Sequence, residues 1–409
     1  MHLKTRNVNS AFVELVTLFK DGEQNKTETF HRSINPITKT SSRNGPVLAI
    51  QEPVIITFEK PNERVLFNQA RDCNPFFHLF ESLYMLSGGN LIEPLAYYAP
   101  TMKNYSDDGV TQNGAYGYRW KNSRPIKRGF WLNPETGEED YTDTPTDQLY
   151  LLINHLRAKP DSRRAVLQMW NVEDDLLKMD TSKDICCNTS VMFSLRFVDC
   201  PNCEGKGFFG TTGTCKSCEG KATYPRWLDM TVINRSNDLV WGMLGANVVH
   251  FSFLQEYMAA NLGVEVGVYN QMSNNLHIYT ENNSGFKHEE WLADGTPDWY
   301  IEGKTIRDYA RIPLVTDSAT FEVELPRFVE AATEHRFDTN WSEPFLQRVA
   351  TPLLWAFELH KRRDYTSALN AIKECAADDW RIVGRNWLLK RQANWEAKQR
   401  SDNATSSEV

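Results

Sequence analysis

The chain has 409 residues, 41% of them hydrophobic, 12% aromatic and 24% charged, with a formal charge of −8 at pH 7. That is globular composition with ample apolar surface for a core, which excludes general disorder, and the acidic balance argues against a surface built to bind nucleic acid. No run approaches the roughly 20 apolar residues of a membrane helix, and Met1-His-Leu-Lys-Thr-Arg-Asn7 lacks a signal peptide's apolar stretch, so a soluble cytoplasmic protein is expected.

In chain order, Ala11–Phe19 reads as a helix, Ser41-Ser-Arg-Asn-Gly-Pro46 as a turn and Val54–Phe58 as a strand. Asn74-Pro75 opens a helix over Phe76–Leu86, with Asn74 as N-cap, Pro75 in the first position and a stop at Gly88-Gly89. It is apolar nearly all round, which predicts burial. Residues 121–145 read as a polar surface loop, and 147–158 as a helix. Ala165–Trp170, Ser190–Val198 and Trp227–Ile233 carry the alternation of half-buried strands, and Val248–Leu262 reads as an apolar helix. Beyond residue 325 the pattern is helical, and Ser401–Val409 reads as a disordered polar tail. The expected division is 1–325, 326–400 and 401–409.

The eight cysteines do not form a disulfide framework. Four of them make two hooks, Cys200-Pro-Asn-Cys203 and Cys215-Lys-Ser-Cys218, each followed by Glu-Gly-Lys. Such hooks let four thiolates converge on Zn²⁺, and lying between two predicted strands they read as a structural zinc finger at a hairpin tip, in an insertion over 199–222. Asp161-Ser-Arg163-Arg164 and Asn234-Arg235-Ser236 put arginines beside strand ends, where a guanidinium suits phosphate oxygens, although each alone reads more readily as a surface or salt-bridging arginine. Cys187, in Asp184-Ile-Cys-Cys-Asn188, reads by itself as a small buried hydrophobe.

Together these segments resemble the thymidylate synthase and pyrimidine hydroxymethylase family. The resemblance runs from Arg43 to Tyr279 through Glu81, Tyr116-Gly-Tyr-Arg-Trp120, Ser162-Arg-Arg164, Cys187, Arg235-Ser-Asn-Asp238, Gly242, Asn247 and His277-Ile-Tyr279. It implies a three-layer α/β fold whose large mixed sheet packs on that of a second subunit, here with a zinc-finger hairpin insertion and a helical carboxyl-terminal extension. It implies Cys187 as the thiolate that adds to C6 of a pyrimidine so that C5 can attack a one-carbon donor, methylenetetrahydrofolate. By the same resemblance Glu81, Tyr116, Arg235 and Asp238 would complete the catalytic set. Arg43, Arg235 and Ser236 would bind the phosphate, joined by Arg163 and Arg164 of the partner subunit, while Asn247 would read the base and His277 and Tyr279 the sugar.

The departures shape the expected reaction. Pro-Cys-His of the synthase reads Cys186-Cys187-Asn188, Gln before the Arg-Ser pair is Asn234, and the span from Gly242 to Asn247 is one residue longer than usual. The tryptophans flanking the folate have no counterpart nearer than Tyr105, and a long helical extension replaces the short closing segment. These losses point to water as second nucleophile and, with Asn247, to 5-hydroxymethyl-dUMP as product, as in phages with modified thymine. The alternatives are a divergent thymidylate synthase, a cytidylate hydroxymethylase, or a catalytically silent binding protein that uses the zinc finger as its contact.

Overall fold

The computed structural model describes residues 1–24, 37–42, 44–123, 145–209, 213–281, 286–302 and 312–406. Alternating β-branched and aromatic residues give strands one apolar face, and pairing continues until that face is covered. Among the described residues the strands are β1 (His2–Thr5), β2 (Ile37–Ser42), β3 (Gly45–Ile50), β4 (Val54–Phe58), β5 (Val166–Gln168), β6 (Asn188–Asp199), β7 (Thr223–Asn234), β8 (Asn237–Asp238), β9 (Glu265–Ser273) and β10 (Leu276–Tyr279). They form two sheets, in the orders β1-β4-β9-β7-β6-β5 and β2-β3-β10-β8. Both are mixed: β1 runs parallel to β4, β7 to β9 and β10 to β8, and the other neighbours are antiparallel.

The helices before β6 are α1 (Val8–Gln24), α2 (Pro75–Leu86), α3 (Ile92–Tyr98), α4 (Tyr116–Lys121) and α5 (Gln148–Ala158). After it come α6 (Asn247–Leu262), α7 (His288–Ala293), α8 (Trp299–Glu302), α9 (Ser318–Thr333), α10 (Thr351–Lys361), α11 (Tyr365–Ala371) and α12 (Asp378–Ser406). Helix α2 starts where the sequence predicts: the Phe77 amide donates to Asn74 Oδ1, Pro75 fills the first turn, and Gly88 leaves the helix at φ +85°. Its apolar circumference is used on all sides. It packs on α6, which itself lies on β7 and β9, and α3, α4, α9, α10 and α12 close around it.

One apolar core therefore runs from the sheet through α6 and α2 into the carboxyl-terminal helices. Phe76 of α2 lies 5.3 Å from both Phe357 and Trp387, and Phe253 of α6 lies 6.3 Å from Trp380. The boundary expected at 325/326 falls inside α9, which carries Pro326 without stopping, so the helical extension starts at Ser318. The tail expected to be disordered from Ser401 is helical to Ser406, because nothing after Gly384 breaks the helix and polar residues propagate one readily. Most of the 121–145 loop lies outside the described residues. Among the described residues, no helix is long and apolar enough to cross a membrane.

Candidate active site

The strand start at β6 decides which cysteine faces outward. Cys186 is buried, its thiol donates to Asn188 O at 3.0 Å, and burial pushes its pKa well up. Cys187 is half-buried, and Arg235 Nη2 lies 3.7 Å from its Sγ. The guanidinium is held there by Cys186 O (3.0 Å) and Ile185 O (2.8 Å), with its carbon 5.7 Å from the ring of Trp170. A fixed cation at that range favours thiolate over thiol.

The segment Tyr116-Gly-Tyr-Arg-Trp120 builds the wall opposite. A Cβ on Gly117 would lie 2.0 Å from Met85 O, so only glycine lets α4 lie this close to α2. Arg119 forms a bidentate pair with the fully buried Asp175, at 2.5 and 3.0 Å, and Asp175 also accepts the Cys186 amide at 3.2 Å. Breaking such a pair costs about 3–5 kcal/mol, so it fixes the approach to Cys187 firmly. Tyr116 sits beside the cysteines. Burial raises the pKa of its hydroxyl well above 10, and the Cys187 and Cys186 thiols raise it further.

On the other side of Arg235, Asp238 caps a π-helical stretch over Leu239–Ala246 by accepting from Val240 N and Trp241 N. A π turn takes in one residue more than an α turn, which is where the extra residue before Asn247 is absorbed. Asn247 remains in register to donate from Nδ2 to Asn237 Oδ1 at 3.1 Å. Gly242 makes this possible, since a Cβ there would stand 2.4 Å from Asn237 Oδ1. Burial raises the Asp238 carboxyl to about 6, and its Oδ1 has no protein partner among the described residues. Trp241 is 54% exposed beside it, with the Arg71 guanidinium 4.7 Å from its ring, an aromatic surface that the sequence reading overlooked.

His277 pairs in register with Asp238, and its ring lies 5.4 Å from that of Tyr279. Burial lowers the His277 pKa, and Nδ1 lies 3.0 Å from Asn275 Oδ1. Ser42 donates to the Tyr279 hydroxyl at 3.4 Å, which brings the β2–β3 hairpin to the site. Arg43 lies outside the described residues. Ser236 is half-buried next to Arg235, whereas Arg163 and Arg164 are exposed at the start of β5 and form no ion pair among the described residues. Tyr105 is 39% exposed on a separate 3₁₀ turn.

Glu81 is buried on α2, and its partner is His250 of α6, with Nε2 2.9 Å from Oε2. Sequence reasoning missed this histidine, although its place three residues after Asn247 puts both on one face of α6.

The finger is where the strands predict it, between Asp199 and Thr223. Its four Sγ atoms lie within 4.8 Å of one another, with Cys200 to Cys215 at 3.9 Å and Cys203 to Cys218 at 3.7 Å. Tetrahedral Zn–S bonds of about 2.3 Å imply S–S separations of about 3.8 Å, so the donor set fits Zn²⁺. The two hooks repeat one backbone: Glu204, Gly205 and Gly207 have positive φ, as do Glu219, Gly220 and Ala222.

The mixed sheet, the thiol beside an arginine and the buried carboxylate define a pyrimidine one-carbon transferase. The thymidylate synthase family model matches residues 77–293, and the chain belongs to that family. A deoxyuridylate hydroxymethyltransferase of Pseudomonas phage M6 is 36% identical over 97% of this chain and 96% of its own length. One of Bacillus phage SP01 is 37% identical over 60% of this chain and 56% of its own. The thymidylate synthase of Saccharomyces cerevisiae is 26% identical over 42% and 47%.

Proposed function

We propose that the chain is a deoxyuridylate hydroxymethylase, joining the one-carbon unit of methylenetetrahydrofolate to C5 of dUMP and finishing with water to give 5-hydroxymethyl-dUMP. The observation that carries the choice of base is the bond from Asn247 to Asn237. With Nδ2 turned to Asn237 Oδ1, Asn247 offers its second amide hydrogen to O4 and its own oxygen to N3–H of uracil. Cytosine needs the amide reversed, which would set two carbonyl oxygens against each other.

In this reading Cys187 adds to C6, Arg235 holds the thiolate and the phosphate, and Ser236 and Arg43 share the phosphate. His277 and Tyr279 hold the sugar hydroxyl, Tyr116 lines the reacting edge, and Asp238 with the exposed Trp241 faces the folate. Water as second nucleophile is supported by the likeness to the phage M6 enzyme over nearly the whole chain, and by Asn188, whose amide turns inward to Ile233 O at 2.9 Å. The test is turnover of dUMP and of dCMP in ¹⁸O-labelled water. Expected is 5-hydroxymethyl-dUMP carrying ¹⁸O without formation of dihydrofolate. Formation of dTMP with equimolar dihydrofolate, or preferred turnover of dCMP, overturns the reading.

The same proposal includes a homodimer. Val166 and Met192, cross-strand partners on β5 and β6, are 43% and 39% exposed on the sheet face adjoining Arg163 and Arg164. A second copy on that face would bury them and bring in its arginines. Mixing Arg163→Ala with Cys187→Ala chains should then restore about a quarter of wild-type activity, because a random mixture gives half heterodimers with one intact site each. Verified subunit exchange without recovery places Arg163 in its own subunit's site. Cys200, Cys203, Cys215 and Cys218 would hold a structural Zn²⁺ with no open coordination position.

A further inference from the structure

We infer that His250 is a positioning residue for the hydration step, holding the Glu81 carboxylate ready to take the proton that the adding water gives up. The inference rests on the hydroxymethylase reading and adds to it a residue that none of the sequence motifs contains. Glu81 and His250 are 7% and 2% exposed as side chains, facing each other at 2.9 Å between α2 and α6. A buried carboxylate costs several kcal/mol unless partnered, and His250 is its only protein partner among the described residues. His78, one turn earlier on α2, is held neutral by burial, with its pKa lowered to about 3, and so supplies no competing cation.

The pair is asymmetric. Oε2 faces the imidazole, and no described protein group reaches Oε1. Nε2 stands 2.9 Å from Oε2 but the two make no hydrogen bond of ordinary geometry, and Nδ1, Nε2 and Oε2 are all buried without a hydrogen-bonded protein partner among the described residues. A purely structural carboxylate would have both oxygens bonded within the protein. Here the Glu81 carboxylate and both ring nitrogens of His250 are left without a hydrogen bond inside the protein among the described residues, one helical turn from Asn247, a combination suited to ordering water at the edge of the base.

The step balances without a further reagent. Water oxygen bonds to the exocyclic carbon, the C5=CH₂ pair shifts into the ring to make an enolate at O4, and the water's proton passes to Glu81 Oε1. The enolate then re-forms C4=O, C5=C6 is restored, and the Cys187 thiolate leaves C6. His250 acts throughout on Oε2, fixing the direction of the carboxylate.

The experiment compares the full-length wild type with His250→Ala and His250→Gln. It follows tritium release from [5-³H]dUMP, which precedes hydration, alongside formation of 5-hydroxymethyl-dUMP. Expected for His250→Ala is a loss of about 100-fold in kcat for the hydroxymethylated product. Tritium release should fall far less, and KM for dUMP should move by less than about threefold. His250→Gln keeps an N–H toward Glu81 and should recover at least about tenfold of the loss. Three results overturn the inference: product formation by His250→Ala at the wild-type rate, equal loss of both readouts with no rescue by glutamine, or His250→Gln activity that merely follows its folded fraction. A wild type that makes dTMP overturns the hydroxymethylase reading itself and the inference with it.

Discussion

Cys186 and Cys187 are the same side chain one position apart, and their surroundings separate them completely. Burial keeps the first a thiol, while the second meets Arg235 at the strand start. Cys187→Ala should abolish turnover while dUMP still binds, because the phosphate and base contacts lie elsewhere. Cys186→Ala should retain most activity and lose about 1 kcal/mol of stability from the vacated thiol volume. The reverse pattern in kinetics and urea melts would mean that the register at the strand start is wrong. Asp238 carries a pH signature. Its folded pKa of about 6 exceeds the ordinary 3.8, so between those values the folded chain keeps a proton that the unfolded chain has released. Its contribution to stability is full below pH 3.8 and is lost as pH rises through about 6. Asp238→Asn should flatten that part of the stability profile, as urea midpoints across the range would read; an unchanged slope would place the carboxyl in a wetter setting.

At the scale of elements, the π-helical stretch at Leu239–Ala246 explains how a chain one residue longer keeps Asn247 in place. The extra residue widens a helical turn and leaves the strand and the helix on either side in register. Gly242 lies inside this stretch and makes room for Asn237, the neighbour that sets the direction of Asn247. Gly242→Ala should push Asn237 aside and lower the preference for dUMP over dCMP by about tenfold, since the lost feature is one hydrogen-bond direction. Ratios of kcat/KM for the two nucleotides measure it, and an unchanged ratio would remove Asn237 from base selection. Helix α2 was readable because its signals are local: an N-cap, a proline and a glycine stop within one segment. The π turn was visible only as an odd spacing, because the helix type depends on ends held by other parts of the fold.

Over the whole molecule, the extension and the catalytic core share one interior, and the cysteine cluster stands apart from it. Arg391 reaches Asp72 at 2.7 Å, tying α12 to the loop that leads into α2. The cysteine cluster, by contrast, has Tyr224 as its one apolar neighbour among the described residues, so a bound metal is expected to carry its folding. Purified protein under reducing conditions should contain about one zinc per chain. Cys203→Ser should release it and expose the β6–β7 tip to hydrogen exchange while the central sheet stays protected. A metal-free wild type with a protected tip would refute the zinc assignment.

The linear order of residues determined the signals that need no partner: the caps of α2, the alternation of β6 and β7, the paired cysteine hooks and the sequence of motifs that carries the family resemblance. Those signals work because backbone geometry and ligand spacing are set within a few residues of one another. The tertiary structure alone decided which thiol faces Arg235, which side chain meets Glu81, what orients Asn247, and that the extension begins with α9 and shares the core. Each of these joins residues from separate elements. Burial, which sets the charge states and the directions of hydrogen bonds, exists only once those elements have packed.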